Sequence, residues 1–380
     1  MLDRDSCRAR IERFRDGLDD GVEAAVICRP EHVLYLGNFL ALPNSLNLRG
    51  VGWLVIERDG PVTLFTDNWL GGDMAPNPDE TTSADAIVRT TWYDGSGPAT
   101  PRVRLVSDAV SEHLKTRKIR NIAAETAFLP FRVASHVDSV IDCETRLLSL
   151  REVKDDDEIA AIRRAIATAE SMHAASRDAL EPGLTELEYY ARLLSPGTCT
   201  AGEPYVMMGD VASGPRAARG GGAPTDRKLE PGELIILDFF PYVGGYRGDI
   251  TNTLVVDAEP TTEQEELFEL VLGALHKAES LLEPGLEVPA IRAAIEEHFA
   301  AANEELVHHA GHAIGLGHPE APELVSVSNR VLEAGMVLTL EPGVYGKPDA
   351  PVGGGIRLEH DYLVTDTGHE RLSSHVLGLV

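Results

Sequence analysis

Asp238, Asp249, His312, Glu341 and Glu359 place four carboxylates and one imidazole in the second half of a 380-residue chain. Hard oxygen and nitrogen donors of this kind suit a pair of divalent ions, which together activate water and polarise a carbonyl. The spacing predicts that they converge. Leu234–Tyr242 and Tyr246–Val256 read as two strands joined by a Val-Gly-Gly turn, a hairpin that sets Asp238 opposite Asp249. Directly opposed side chains in an antiparallel pair have Cβ atoms about 4.5–5.5 Å apart. Two such carboxylates repel unless a proton or a cation lies between them, and a metal answers that need.

The elements that would position these residues repeat. Leu180-Glu-Pro-Gly-Leu184 recurs as Leu282-Glu-Pro-Gly-Leu286, each time between two helical patterns. Glu230–Asp238 recurs as Glu333–Glu341, 103 residues later, with a carboxylate at the same strand position. The second return strand, Gly355–Val364, carries Glu359 in the place expected for Asp249. A duplicated helix–helix–hairpin predicts two similar halves around a pseudo-twofold axis, each giving a carboxylate hairpin to one site.

A net charge of -27 makes nucleic-acid phosphates and anionic membranes poor partners. No apolar run approaches a membrane span, and the first residues read as an amphipathic helix rather than a signal peptide. Cys7, Cys28, Cys143 and Cys199 lack metal or redox spacing, which suits reduced thiols and a cytoplasmic location.

Residues 1–150 read as an α/β domain. Gly21–Cys28, His32–Leu36 and Ile119–Ala124 look like strands, and Trp53–Glu57 with Val62–Thr66 forms a hairpin across Arg58-Asp-Gly-Pro61. The Asp and His residues of this part read as solvated surface positions. From Arg151 a long helix with an acidic first turn opens residues 151–380, followed by helices over Leu184–Leu194, from Thr262, and over Glu287–Leu306. Arg216 and Arg219 read as a solvated loop, and His309 and His360 as structural or exposed.

The ordered motifs resemble the pita-bread metallopeptidases, within them the prolidase, aminopeptidase P and creatinase-like branch. The motifs are Asp238 and Asp249, Gly311–Leu316 (GHAIGL), Leu340–Tyr345 (LEPGVY) and Gly354–Glu359 (GGIRLE). Leu150–Lys154 and Gly222–Arg227 are similar to that branch as well. The resemblance implies an α/β N-terminal domain over 1–150 and an α+β pita-bread catalytic domain over 151–380. It implies two divalent ions (Mn, Co, Fe or Zn), bridged by Asp249 and Glu359, with Asp238 completing one and His312 and Glu341 the other. Glu341 would accept the proton of the attacking water, His308 would contact substrate, and Arg357 would orient Glu359. The implied substrate is a small peptide or other amide, and the implied assembly a homodimer.

Two positions depart from that family. Gly221 and Pro319 stand where relatives carry histidines that hold the substrate amide, with His318 one residue before Pro319. Restoring imidazoles at 221 and 319 should therefore raise Xaa-Pro cleavage. His318 is a candidate catalytic substitute, although a one-residue shift on a strand reverses the side chain's face. The readings that follow are an Xaa-Pro dipeptidase or aminopeptidase, a creatinase-like hydrolase of a non-peptide C–N bond, or a binding module without catalysis.

Overall fold

The computed structural model describes residues 2–41, 51–70, 78–97, 100–346 and 353–380, and divides into two compact units, Met1–Arg151 and Glu152–Val380.

The first unit runs α1 (Arg4–Arg15), β1 (Ala24–Ile27), α2 (Pro30–Gly37), β2 (Gly52–Glu57), β3 (Val62–Asp67), α3 (Pro78–Thr81), β4 (Ala86–Thr90), α4 (Arg102–Arg117), β5 (Asn121–Ala124), α5 (Phe131–Ala134), β6 (Ser139–Asp142) and α6 (Glu144–Leu150). Its strands form one mixed sheet in the order β4-β3-β2-β1-β5-β6. The expected hairpin is β2–β3, with Ile56 opposite Val62. The expected strand His32–Leu36 is instead helix α2. Pro30 presets its first turn, and Asn38 ends it in the left-handed conformation (φ 49°). His32 is not a solvated residue either. It is fully buried, with Nδ1 against Glu125 and Nε2 accepting from Arg151 Nη1 at 2.8 Å. Glu125 also accepts the backbone N–H groups of Cys28 and Arg29, so both of its oxygens are engaged internally.

The second unit runs α7 (Asp156–Ala179), α8 (Glu186–Ala201), β7 (Gly209–Ser213), β8 (Leu234–Phe239), β9 (Tyr242–Val243), β10 (Tyr246–Arg247), β11 (Ile250–Val255), α9 (Thr262–Glu279), α10 (Val288–Ala301), β12 (His312–Ala313), β13 (Glu320–Glu323), β14 (Val337–Leu340), β15 (Gly343–Tyr345), β16 (Gly355–Arg357), β17 (His360–Thr365) and β18 (Gly368–Arg371). The sheets are β11-β8-β7, β13-β12-β14-β17-β18 and the short pairs β9–β10 and β15–β16. A capping box on Asp155 starts α7 five residues later than the acidic run suggests, and α8 continues through Pro196.

The internal repeat is realised bond for bond. Gly183 and Gly285 both take positive φ (84° and 91°), and their N–H groups reach Leu229 O at 2.9 Å and Leu332 O at 2.8 Å. Each half has its own apolar core. Met172, Tyr189, Leu237 and Phe239 belong to the first, and Val271, Ile291, Leu338 and Tyr362 to the second. These cores fix the two strand pairs rigidly enough to aim short carboxylates.

Two register expectations are corrected. The first hairpin turns about Gly244 and Gly245, since Val243 pairs with Tyr246, and Asp238 therefore faces Thr251. Asp249 lies two positions before Thr251, which preserves its face and keeps it a diagonal neighbour of Asp238. The return segment also breaks at Gly248, where a Cβ would come within 2.6 Å of Ile166 N in α7. Nor does Glu359 occupy the place of Asp249. Val256 and Val364 make the same turn bonds, to Glu233 O and Met336 O at 2.9 Å each. Counting back five residues from each makes Thr251 the counterpart of Glu359, and counting back seven makes Arg357 the counterpart of Asp249.

Candidate metal centre

Asp238 sits on β8, Asp249 just before β11, His312 on β12, Glu341 just after β14, and Glu359 between β16 and β17. All five side chains are buried and meet in one place. Ligand atoms of His312, Glu341 and Glu359 lie within 4.8 Å of one another, as do those of Asp238, Asp249 and Glu359. The two groups share Glu359, and Asp249 with His312 and His318, and Glu341 with His308 and His309, form two further such groups among the described residues.

The hydrogen bonds show which atoms face this space. His312 Nδ1 donates to Ala313 O at 3.0 Å, which turns Nε2 to the centre, 3.4 Å from Asp249 Oδ2 and 3.5 Å from Glu341 Oε1. Glu359 Oε2 accepts from Thr251 Oγ1 at 2.6 Å, and Asp249 Oδ2 from His318 Nε2 at 2.6 Å. Asp238 Oδ2 accepts from Arg357 Nη2. Each carboxylate nevertheless keeps one buried oxygen with no hydrogen bond: Asp238 Oδ1, Asp249 Oδ1, Glu341 Oε1 and Glu359 Oε1. His309 Nε2 lies 3.1 Å from Glu341 Oε1 but outside hydrogen-bonding geometry. Four unpartnered carboxylate oxygens gathered around one imidazole nitrogen are costly to bury unless protons or cations join them, and the donor set fits divalent metal ions.

The titration behaviour has the same origin. Burial raises Asp238, with Arg357 opposing and Asp249 and Asp210 adding to the rise. Burial raises Glu341 to about 7 and lifts Glu359 well above the usual range, in the latter with the Asp249 charge adding. Asp249 is held low despite burial, because His318 and His312 stand against it. His312 is raised to about 9 by Asp249 and Glu341, which outweigh its burial.

The surrounding residues depart from expectation in informative ways. Arg357 is not seen to orient Glu359. Its Nη2 reaches Asp238 and, at 3.3 Å, Asp210 Oδ2, while its Nη1 reaches Gly220 O and, at 3.3 Å, Tyr345 Oη. Thr251 performs the task assigned to it. His318 reaches the centre because Leu316–Pro319 is a loop between β12 and β13, where strand alternation does not apply. Its ring stacks on Phe240 at 4.4 Å and 10°. His308 is turned towards Tyr345, with Nε2 2.8 Å from its hydroxyl, and burial lowers it to about 4. His309, read as structural, stands at Glu341. His360 is buried, with Nδ1 on Ser373 Oγ at 2.8 Å. Arg216 is no solvated loop residue, because it holds the buried carboxylate of Glu186 together with Ser213 and Thr225. Sequence reasoning passed over Asp210, Thr251 and Tyr345. Only the repeat aligned on Val256 and Val364 would have singled out Thr251.

Residues 160–366 match the model of metallopeptidase family M24. The chain belongs to metallopeptidase family M24. It is similar to a Xaa-Pro dipeptidase of Pyrococcus furiosus, at 29% identity over 373 residues, covering 96% of this chain and 98% of the relative. An uncharacterized peptidase of Staphylococcus epidermidis is 31% identical over 365 residues, covering 94% and 96%. The structure of a Xaa-Pro dipeptidase from Bacillus anthracis superimposes with a TM-score of 0.82 at 26% identity, covering 98% of this chain and 99% of that one. The M24 chain is thus a pita-bread, metal-dependent peptidase of the prolidase branch.

Proposed function

We propose that the protein hydrolyses the amide bond after the first residue of small peptides, in the manner of an Xaa-Pro dipeptidase or aminopeptidase P. The observation carrying this reading is the set of four unpartnered carboxylate oxygens in two overlapping groups that share Glu359. Asp238, Asp249, His312, Glu341 and Glu359 would hold two divalent ions, which supply an activated water and a Lewis acid when bound.

The chain's own residues then divide the remaining work. Glu341, whose Oε1 has no hydrogen-bond partner at the centre, serves as general base towards the attacking water in this reading. His308 and the Tyr345 hydroxyl form a hydrogen-bonded pair beside it, in which the hydroxyl donates to Nε2 while Nδ1 donates to His309 O, and His308 contacts the substrate in this reading. His318, steadied by Phe240, is a donor at the edge of the centre. Arg357 holds Asp238 and so fixes one wall of the site. The protein acts as a cytoplasmic homodimer in this reading.

The test is hydrolysis of Xaa-Pro dipeptides, longer Xaa-Pro peptides, Xaa-Ala dipeptides and creatine-like amidines with added Mn²⁺ or Co²⁺, before and after chelation. Metal-dependent release of the first residue is expected, with only weak discrimination for proline because Gly221 and Pro319 supply no imidazole. Cleavage of the amidines alone would move the reading to a non-peptide C–N bond.

A further inference from the structure

Ala313 on β12 pairs with Glu320 on β13, so residues 314–319 form the loop that carries His318. Backbone bonds fix its entry: Ile314 N donates to Val337 O at 3.1 Å, and Arg247 N donates to Gly315 O at 3.0 Å. The far half, residues 316–319, belongs to no strand. There Glu320 turns its carboxylate back into the loop, and Oε1 accepts the N–H of Gly317 at 2.5 Å. A Cβ on Gly315 would lie 2.9 Å from Glu320 Oε2, so the loop is wrapped closely around this one carboxylate.

The carboxylate is itself anchored from behind. Its side chain is 8% exposed and meets Lys154 Nζ, on a side chain 1% exposed, at 3.4 Å. Lys154 is tied in turn to the strands that aim the ligands. Its backbone N–H donates to Gly335 O at 2.9 Å, and Gly335 N donates to Val364 O at 2.8 Å. Gly335 precedes β14, which ends one residue before Glu341, and Val364 lies on β17, which starts one residue after Glu359. Lys154 Nζ also donates to Glu152 O at 3.4 Å. A buried ion pair adds little stability over an apolar pair of similar size, so stability alone does not account for this one. Glu320 belongs to none of the groups of potential metal ligands among the described residues.

The anchored peptide controls the residue that follows it. Gly317 directly precedes His318, whose Nε2 donates to Asp249 Oδ2 at 2.6 Å while its ring stacks on Phe240. A line of contacts therefore runs from Lys154 through Glu320, Gly317 and His318 to Asp249. Two glycines, at 315 and 317, open many backbone conformations to the loop, and the Glu320 bond selects one of them. Without that bond, the imidazole at the edge of the centre would lose its fixed distance to Asp249.

We propose that Glu320, seated by Lys154, is a positioning residue: it fixes the Gly317 peptide so that His318 reaches Asp249, and it affects hydrolysis only through that imidazole. The effect on hydrolysis rests on the amide-hydrolase reading above. The test uses two double variants of the full-length chain. The first, Lys154→Met with Glu320→Leu, removes both charges together and leaves neither buried alone. The second, Lys154→Met with Glu320→Gln, also removes the charges but keeps an acceptor for Gly317 N–H. In the metal-free protein, the His318 Nε2 proton bonded to Asp249 gives a downfield imidazole resonance, assigned by its loss in His318→Gln. It should disappear or move upfield in the first variant and persist in the second. With Mn²⁺ and alanyl-proline, kcat/KM should fall by about 10–100-fold in the first variant. The same pair added to His318→Gln should change it by less than about twofold. An equal fall with and without His318, an unmoved resonance in the folded first variant, or full kcat/KM in His318→Gln overturns the proposal. Loss of the resonance in the folded second variant overturns it too, so the test stays decisive if the first does not fold. A resonance lost in the first variant and kept in the second, in a protein that cleaves no peptide, upholds the positioning of His318 and sinks the hydrolase reading instead.

Discussion

Thr251 Oγ1 donates to Glu359 Oε2 at 2.6 Å, and Glu359 N donates to Thr251 O at 3.0 Å. The two return strands of the repeat meet at this pair, and one residue of each counterpart position keeps the other in place. With Oε2 engaged, only Oε1 of Glu359 is left to face the centre. Thr251→Val keeps the shape and removes the donor. Metal affinity should fall by about 10–100-fold, the usual cost of losing a group that orients a ligand. Competition with a chelating dye measures it, and unaltered affinity would contradict this role.

Glu341→Gln keeps a coordinating oxygen but cannot accept a proton. Turnover should fall by at least about 10², while the circular dichroism spectrum stays that of wild type. Activity near wild type in a folded Glu341→Gln protein would defeat the general-base assignment.

Gly221→His was expected from sequence to restore a missing imidazole. The Asp210 carboxylate now stands where its Cβ would go, and φ at 221 is +134°. The substitution should cost on the order of 1–3 kcal/mol in unfolding free energy and lower Xaa-Pro cleavage, alone or with Pro319→His. Pairing it with Asp210→Gly removes the collision and should recover part of the stability. Denaturant unfolding and kcat/KM of the three variants check both statements.

Acid should weaken the second unit through a buried histidine layer behind the centre. His375 stacks on His173 at 4.8 Å and meets His360 at 4.6 Å, and its Nε2 bonds Thr251 O at 3.3 Å. Burial lowers His375 from 6.5 to about 4, with Arg371 and Arg177 adding to the effect. The unfolded chain then binds the proton more readily than the folded one. The His375 contribution is full above pH 6.5 and is lost as the pH falls towards about 4. It is on the order of 3 kcal/mol. His375→Gln should flatten the melting temperature between these pH values, and an unchanged acid slope would remove His375 as its cause.

The repeat made most of the catalytic half legible, because Leu-Glu-Pro-Gly-Leu and the two strand-leading turns are local signals that recur with their hydrogen bonds. Asp238 and Glu341 could be matched for that reason. Asp249 and Glu359 could not, since the return strands follow loops of unequal length and register is set by where each turn closes. Gly244 and Gly245 close one turn a single residue later than expected, which moves the facing residue from Asp249 to Thr251. Asp210 was illegible because its partner Asp238 lies on a strand 28 residues away and no motif surrounds it. His32–Leu36 failed differently, since an apolar run of that length does not separate a buried helix from a buried strand.

The central claim is that Asp238, Asp249, His312, Glu341 and Glu359 form one centre for two ions. Elemental analysis of Mn²⁺- or Co²⁺-reconstituted, desalted protein tests it most directly. About two ions per chain are expected, falling to one or fewer in Glu359→Ala. A folded wild-type protein that retains no stoichiometric divalent metal would contradict the account.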